Sequence, residues 1–245
     1  MKRLVSLMLA LLVAHALAAD ARRSGFDDMS PQIQAMQRDD AANPAMLWVK
    51  EGEAMWGREC ARCHGDAATS MRGVAARYPD FDTASQRPIT LSQRINQCRV
   101  TRQHSTPLAP ESDALLGIES YVAMQSRGLP IAPSADPRLQ PFRERGEQLF
   151  RGRIGQLDFS CAQCHDEHAG QHLGGSTIPQ AHPTGYPQYR LEWQALASLQ
   201  RRLRNCMNGV RAEPFAYGAP EFTELELYLA TRAAGMRLET PAVRP

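Results

Sequence analysis

Cys60-Ala-Arg-Cys63-His64 and Cys161-Ala-Gln-Cys164-His165 are two copies of a Cys-x-x-Cys-His motif. At this spacing two thiols can bond to the vinyl groups of a c-type haem, and the histidine that follows can coordinate its iron. Two copies predict two covalently bound haem c groups. Cys60, Cys63, Cys161 and Cys164 would attach them, and His64 and His165 would each fill one axial position. Zinc also takes thiolates and imidazole, but an export signal and a duplicated helix–motif–loop–helix pattern favour haem.

The other axial position has several candidate ligands. Met71, Met124, Met207 and Met236 are the methionines, and His104, His168, His172 and His182 the histidines, but neither set recurs between the two motifs. The two remaining cysteines do recur. Cys98 and Cys206 follow their motif histidines by 34 and 41 residues, enough to cross to the opposite haem face. A thiolate there stabilises ferric iron and lowers the reduction potential. A Cys98–Cys206 disulfide and buried free thiols are the competing readings.

Arg94 and Arg202 each stand four residues before one of these cysteines, on the same helical face. An arginine beside a haem can pair with a propionate. Arg202, however, lies in a basic run, Arg201-Arg202-Leu203-Arg204, with Arg211 beyond. Guanidinium forks match paired oxygens, so a sulfur oxyanion is the expected substrate, drawn to a sulfur whose pKa the same charge lowers.

The elements that must position these groups are duplicated. Gly52-Glu53-Ala54-Met55-Trp56 precedes one motif and Gly146-Glu147-Gln148-Leu149-Phe150 the other, each closing a short amphipathic helix. Asn43-Pro44 is a start signal for the first of these, and the second carries a seven-residue insertion before Cys161. Thr90-Leu91-Ser92-Gln93 has the capping-box pattern for a helix carrying Arg94 and Cys98; residues 190–208 form its counterpart. The segments 119–124 and 226–231 are closing helices, followed by Gly128 and Gly235.

The expected fold is mainly α, with two tandem cytochrome c-like domains, extensive loops and an internal duplication. Residues 43–128 and 142–236 are the domains, the second catalytic. A proline-rich linker spans 129–141, residues 19–42 form an N-terminal arm, and 237–245 form a tail.

Lys2 and Arg3, the apolar run from Leu4 to Val13 and Ala16-Leu17-Ala18 predict a cleaved signal peptide over residues 1–18. Export places a c-type cytochrome in the periplasm. No later run is apolar enough for a membrane span. Losing Lys2 and Arg3 leaves basic and acidic residues equal in number, so no positive field favours nucleic acid.

The two motifs, Asn96-Gln97-Cys98-Arg99, the segment from Pro107-Leu108 to Glu111-Ser112, and Arg202-Leu203-Arg204-Asn205-Cys206 together resemble the SoxA family, the cytochrome subunits of SoxAX complexes in bacterial thiosulfate oxidation. The resemblance covers nearly the whole mature chain. It implies His64 with Cys98 on one haem and His165 with Cys206 on the other. It also implies a persulfidated, catalytic Cys206 beside an active-site Arg202. The implied activity is that of an L-cysteine S-thiosulfotransferase: thiosulfate is joined oxidatively to a cysteine of a SoxYZ-like carrier. A SoxX-like monohaem subunit is the implied partner, and a soluble cytochrome c the electron acceptor. A dihaem thiosulfate dehydrogenase forming tetrathionate, or a plain dihaem electron carrier, are the alternative functions. Arg94 and Cys98 match Arg202 and Cys206, so the repeat alone does not show which haem is catalytic; the basic run favours the second.

Overall fold

The computed structural model describes residues 21–245; the expected signal segment lies outside them. Its main helices are α1 (Pro31–Arg38), α2 (Met46–Met55), α3 (Leu91–Gln103), α4 (Asp113–Met124), α5 (Gln140–Arg151), α6 (Leu199–Gly209) and α7 (Pro220–Arg232). The expected mainly helical class and the duplication are both present.

In each half a motif-feeding helix crosses the closing helix. The pairs are α2 with α4 and α5 with α7. Gly52 and Gly146 make the crossings possible. A Cβ at Gly52 would fall 2.1 Å from the Gly117 carbonyl oxygen, and one at Gly146 would fall 2.1 Å from that of Glu224. The repeated Gly-Glu is thus a packing requirement. An aromatic pair recurs beside each crossing: Trp56 with Tyr121 at 6.1 Å, and Phe150 with Tyr228 at 5.4 Å between centroids.

A second duplicated unit precedes each cysteine-bearing helix. Strands β1 (Asp80–Asp82) and β2 (Arg87–Ile89) form a hairpin, and β3 (Gln188–Arg190) and β4 (Ala195–Ala197) form its counterpart in the same register. Gln86 and Gln194 take positive φ at the matching turn position. The residue 190–208 helix therefore starts later than expected, at Leu199. Arg190 to Ser198 complete the hairpin, and Ser198 caps α6 by accepting from Arg201 N. The Thr90 capping box forms as expected, with Thr90 and Gln93 each accepting from the other's backbone N–H.

The halves are exchanged at their contact. α4 packs on β4 of the second half, and α7 packs on β2 of the first. Leu116, Tyr189, Leu196 and Val243 share one buried cluster across this junction.

The two terminal segments differ from free arms. Within 19–42, Ser30 caps α1, followed by Pro31 at its first position. Within 237–245, β5 (Ala242–Arg244) adds to β3 in parallel, and Val243 is fully buried. Gln37 on α1 accepts from Val243 N at 3.0 Å. Apolar burial and backbone pairing hold both ends, neither of which shows as periodicity in so few residues. The 129–141 linker is pinned as well: Ile131 N–H donates to the Met236 carbonyl and is answered by Gly235 N–H to Ile131.

Candidate haem–sulfur centres

The first motif continues from α2 through a widened π-type turn, Trp56–Cys60, into one more helical turn, Ala61–His64, which Gly65 ends with φ of 68°. Trp56 sits under it, its Nε1 donating to the Gly65 carbonyl at 3.0 Å and its ring 5.7 Å from that of His64. The second motif opens on a capping box that sequence reading missed. Ser160 Oγ accepts from Gln163 N, and Gln163 Oε1 accepts from Ser160 N. Ser-x-x-Gln before Cys161 was the available signal.

His165 is oriented by the backbone. Its Nδ1 lies 2.7 Å from the Pro179 carbonyl oxygen, an atom that can only accept, so Nδ1 carries a proton and Nε2 is the nitrogen left for other partners. Cys206 faces this imidazole closely enough for the ring to act on its sulfur. Burial alone would raise the Cys206 pKa. The His165 hydrogen bond and the Arg202 charge outweigh that, with Arg190 adding, and hold the thiol below its ordinary range. The Cys161 thiol goes the other way: burial pushes it up to about 11, and Cys206 adds to the shift. Cys161, Cys164, His165 and Cys206 therefore share one centre.

The first half also brings its second cysteine to its motif. Burial pushes the Cys60 thiol up to about 11, with Glu59 and Cys98 adding and Arg99 opposing. Cys98 thus meets the motif of its own half. No two of the six cysteines are joined by a disulfide, Cys98 and Cys206 included. Among the described residues no three His, Cys, Asp or Glu side chains are grouped tightly enough to hold a bare ion. Paired thiols, a histidine whose Nδ1 is held by the backbone and a sulfur facing its ring fit a c-type haem.

Other expected ligands lie elsewhere. His182 Nδ1 is 2.8 Å from the Arg23 carbonyl, and His172 lies in an exposed two-residue strand. Met236 packs in a separate apolar cluster, whereas Met71 packs in the cluster that also takes Cys60 and Ala61 of the first motif.

Within the basic run the arginines divide. Arg201 lies 4.7 Å over Trp193, and Arg204 lies 4.8 Å over Tyr217 while donating to the Phe215 carbonyl. Arg202 instead acts on Cys206 and on Tyr186. Tyr186 was not read from the sequence. Burial pushes its phenol up to about 12, so it remains a hydroxyl donor at neutral pH.

The profile of the family "SoxA/TsdA, cytochrome c domain" matches residues 45–131 and 145–238. The L-cysteine S-thiosulfotransferase subunit SoxA of Pseudaminobacter salicylatoxidans is 36% identical over 92% of this chain and 82% of its own length. The SoxA subunit of Rhodovulum sulfidophilum is 35% identical over 92% of this chain and 81% of its own. The crystal structure of SoxXA from P. pantotrophus superposes with a TM-score of 0.87 at 32% identity, covering 91% of this chain and 87% of that one. With a cytochrome c domain matched in both halves and relatives of this extent, the chain belongs to the SoxA family.

Proposed function

We propose that this chain is the cytochrome subunit of a periplasmic L-cysteine S-thiosulfotransferase. It works with a SoxX-like monohaem subunit, and it joins thiosulfate to a cysteine of a SoxYZ-like carrier. The observation that carries this reading is the Arg202–Cys206 pair one turn apart on α6, repeated as Arg94–Cys98 on α3, in a chain of the SoxA family. Cys60 and Cys63 would hold one haem c, and Cys161 and Cys164 the other. His64 with Cys98, and His165 with Cys206, would hold their irons.

The net reaction converts a carrier thiol and thiosulfate into a carrier S-thiosulfonate, one proton and two electrons. Haem, when bound, supplies one-electron redox capacity, which a soluble cytochrome c drains. Arg202 holds the sulfonate oxygens and offsets repulsion between two anions. Cys206 acts as a persulfide. Its outer sulfur bonds the terminal sulfur of thiosulfate as two electrons leave. The carrier thiolate then attacks that terminal sulfur, the bond to the persulfide breaks, and Cys206 recovers its persulfide. Tyr186 can donate a hydrogen bond to the oxyanion throughout.

Cys206→Met, with haem retained, tests the covalent role: loss of carrier conjugation is expected, and near-normal conjugation would remove Cys206 from the chemistry. Intact mass of the exported protein should show two haems and one extra sulfur. Tetrathionate formation by the isolated chain with ferricyanide would point to a thiosulfate dehydrogenase instead.

A further inference from the structure

The duplication places Asp82 and Arg190 at one position. Each is the third residue of the first strand of its hairpin, paired with Arg87 and Ala195 in the same register. Around them the two centres match: Arg94 corresponds to Arg202, and Cys98 to Cys206, at the same offset of 108.

In the first half this position cancels charge. Asp82 is 2% exposed and pairs with Arg94 at 3.1 Å. Ser85 N–H and hydroxyl, and Gln97 Nε2, complete its shell. The arginine beside Cys98 is thereby committed to a carboxylate.

In the second half the same position adds charge. Arg190 stands where the carboxylate stood, and no carboxylate ion-pairs with Arg202 among the described residues. By the shared register, Arg190 takes the place opposite Arg202 that Asp82 takes opposite Arg94. Arg190 Nε is buried with no hydrogen-bond partner. Its one carboxylate is Glu192 at 2.7 Å, whose side chain is 59% exposed against 13% for Arg190. The ring of Trp193 lies 5.1 Å from the guanidinium and limits its reorientation. A buried guanidinium N–H left unfilled beside a second arginine, with an exposed carboxylate as its ion-pair partner, is a place an anion can fill. Arg244, the other cation near Tyr186, is already held by Glu239 and Gln37.

We infer that Arg190 is the second oxyanion-binding residue of the Cys206 centre, and that the Asp82-to-Arg190 exchange between the repeats makes the second centre the anion site and the first one not. The inference rests on the reading of the second centre as the thiosulfate site, and it assigns that centre's specificity to a residue outside the cysteine helix. Arg190 touches the sulfonate end of the substrate, and Arg202 holds it from the helix side.

The test uses the holoprotein complex with its carrier. Arg190→Gln should raise KM for thiosulfate at least tenfold while kcat stays within about threefold, and Arg190→Lys should recover most of the loss. Arg190→Asp, which installs the residue of the first repeat, should abolish saturation. Sulfate, an oxyanion that cannot be oxidised here, serves as the probe without turnover: its calorimetric affinity for the wild type should fall at least tenfold in Arg190→Gln. Unchanged KM and unchanged sulfate affinity in Arg190→Gln, with haem absorbance and Tm preserved, would overturn the inference. If Arg190→Asp does not fold, the Gln and Lys variants decide alone. A wild-type complex that fails to conjugate thiosulfate yet binds sulfate through Arg190 would refute the proposed function and leave the anion site standing.

Discussion

Glu119 and Glu226 occupy equivalent positions on α4 and α7, and both open onto one cavity of about 280 Å³ between the halves. Desolvation pushes Glu119 up to about 8, with Glu226 and Glu111 adding and the Ser92 backbone opposing. Desolvation likewise pushes Glu226 up to about 7, with the Gln200 amide opposing and Glu111 adding. Glu111 is the third carboxylate here; Ser198 N–H and the charge of Arg201 face it.

These shifts predict a pH-dependent stability with a definite sign. Both carboxyls have ordinary values near 4.5, so between about 4.5 and 8 the unfolded chain gives up protons that the folded chain keeps. Stability contributed by the neutral pair is complete below 4.5 and is lost as pH rises through 7 to 8. Glu119→Gln with Glu226→Gln should flatten that slope, by up to about 1.4 kcal/mol per pH unit for each proton retained. Chemical denaturation of holoprotein and variant at pH 5, 6.5 and 8 reads it; parallel slopes would mean that the pair titrates normally.

The helix crossings predict a contrast among glycines. Gly52→Ala and Gly146→Ala drive a methyl into a backbone carbonyl that cannot withdraw, and each should cost about 2 kcal/mol or more. Gly57→Ala meets nothing within 4 Å and should be nearly neutral. Thermal denaturation of the three variants checks this, and equal Tm values would remove the steric account.

Local signals were readable; distant ones were not. The haem motifs, the Thr90–Gln93 box and the two Gly-Glu crossings each lie within a few residues, and each formed. Ser30-Pro31 and Ser160-x-x-Gln163 are equally local start signals, and both cap the turns that follow them. Asp82 and Arg190 carry the difference between the centres, yet each lies 12 residues before its partner arginine, across a hairpin whose three-residue strands show no alternation. The parallel pairing of β5 with β3 joins segments more than fifty residues apart, and no periodicity announces it.

Asp82 predicts acid sensitivity in the first half. Burial opposes its charge, but hydrogen bonds from Ser85 and Gln97 and the Arg94 charge prevail and hold the carboxyl down to about 2. Its contribution is complete above the ordinary 3.8 and is lost as pH falls towards 2. Asp82→Ala leaves Arg94 without its carboxylate and should cost about 3 kcal/mol at pH 7, with a smaller difference from wild type at pH 2.5. An equal difference at both pH values would show that the loss is one of packing alone.

The tail links packing to the proposed anion site. Val243 is fully buried against Leu116, Tyr189 and Leu196, and its strand pairs Tyr189 and Arg190 with Val243 and Arg244. Val243→Ala should cost about 1–2.5 kcal/mol through lost apolar burial and the cavity left behind. Val243→Asp buries a charge without a partner and should cost more than about 3 kcal/mol. Because β5 supports the strand that carries Arg190, the Ala variant should also raise KM for thiosulfate in the folded complex, without the charge dependence expected of Arg190→Lys and Arg190→Gln. A lower Tm with an unchanged KM would separate the strand's stability from the placement of Arg190, and would assign the latter to Trp193 and Glu192.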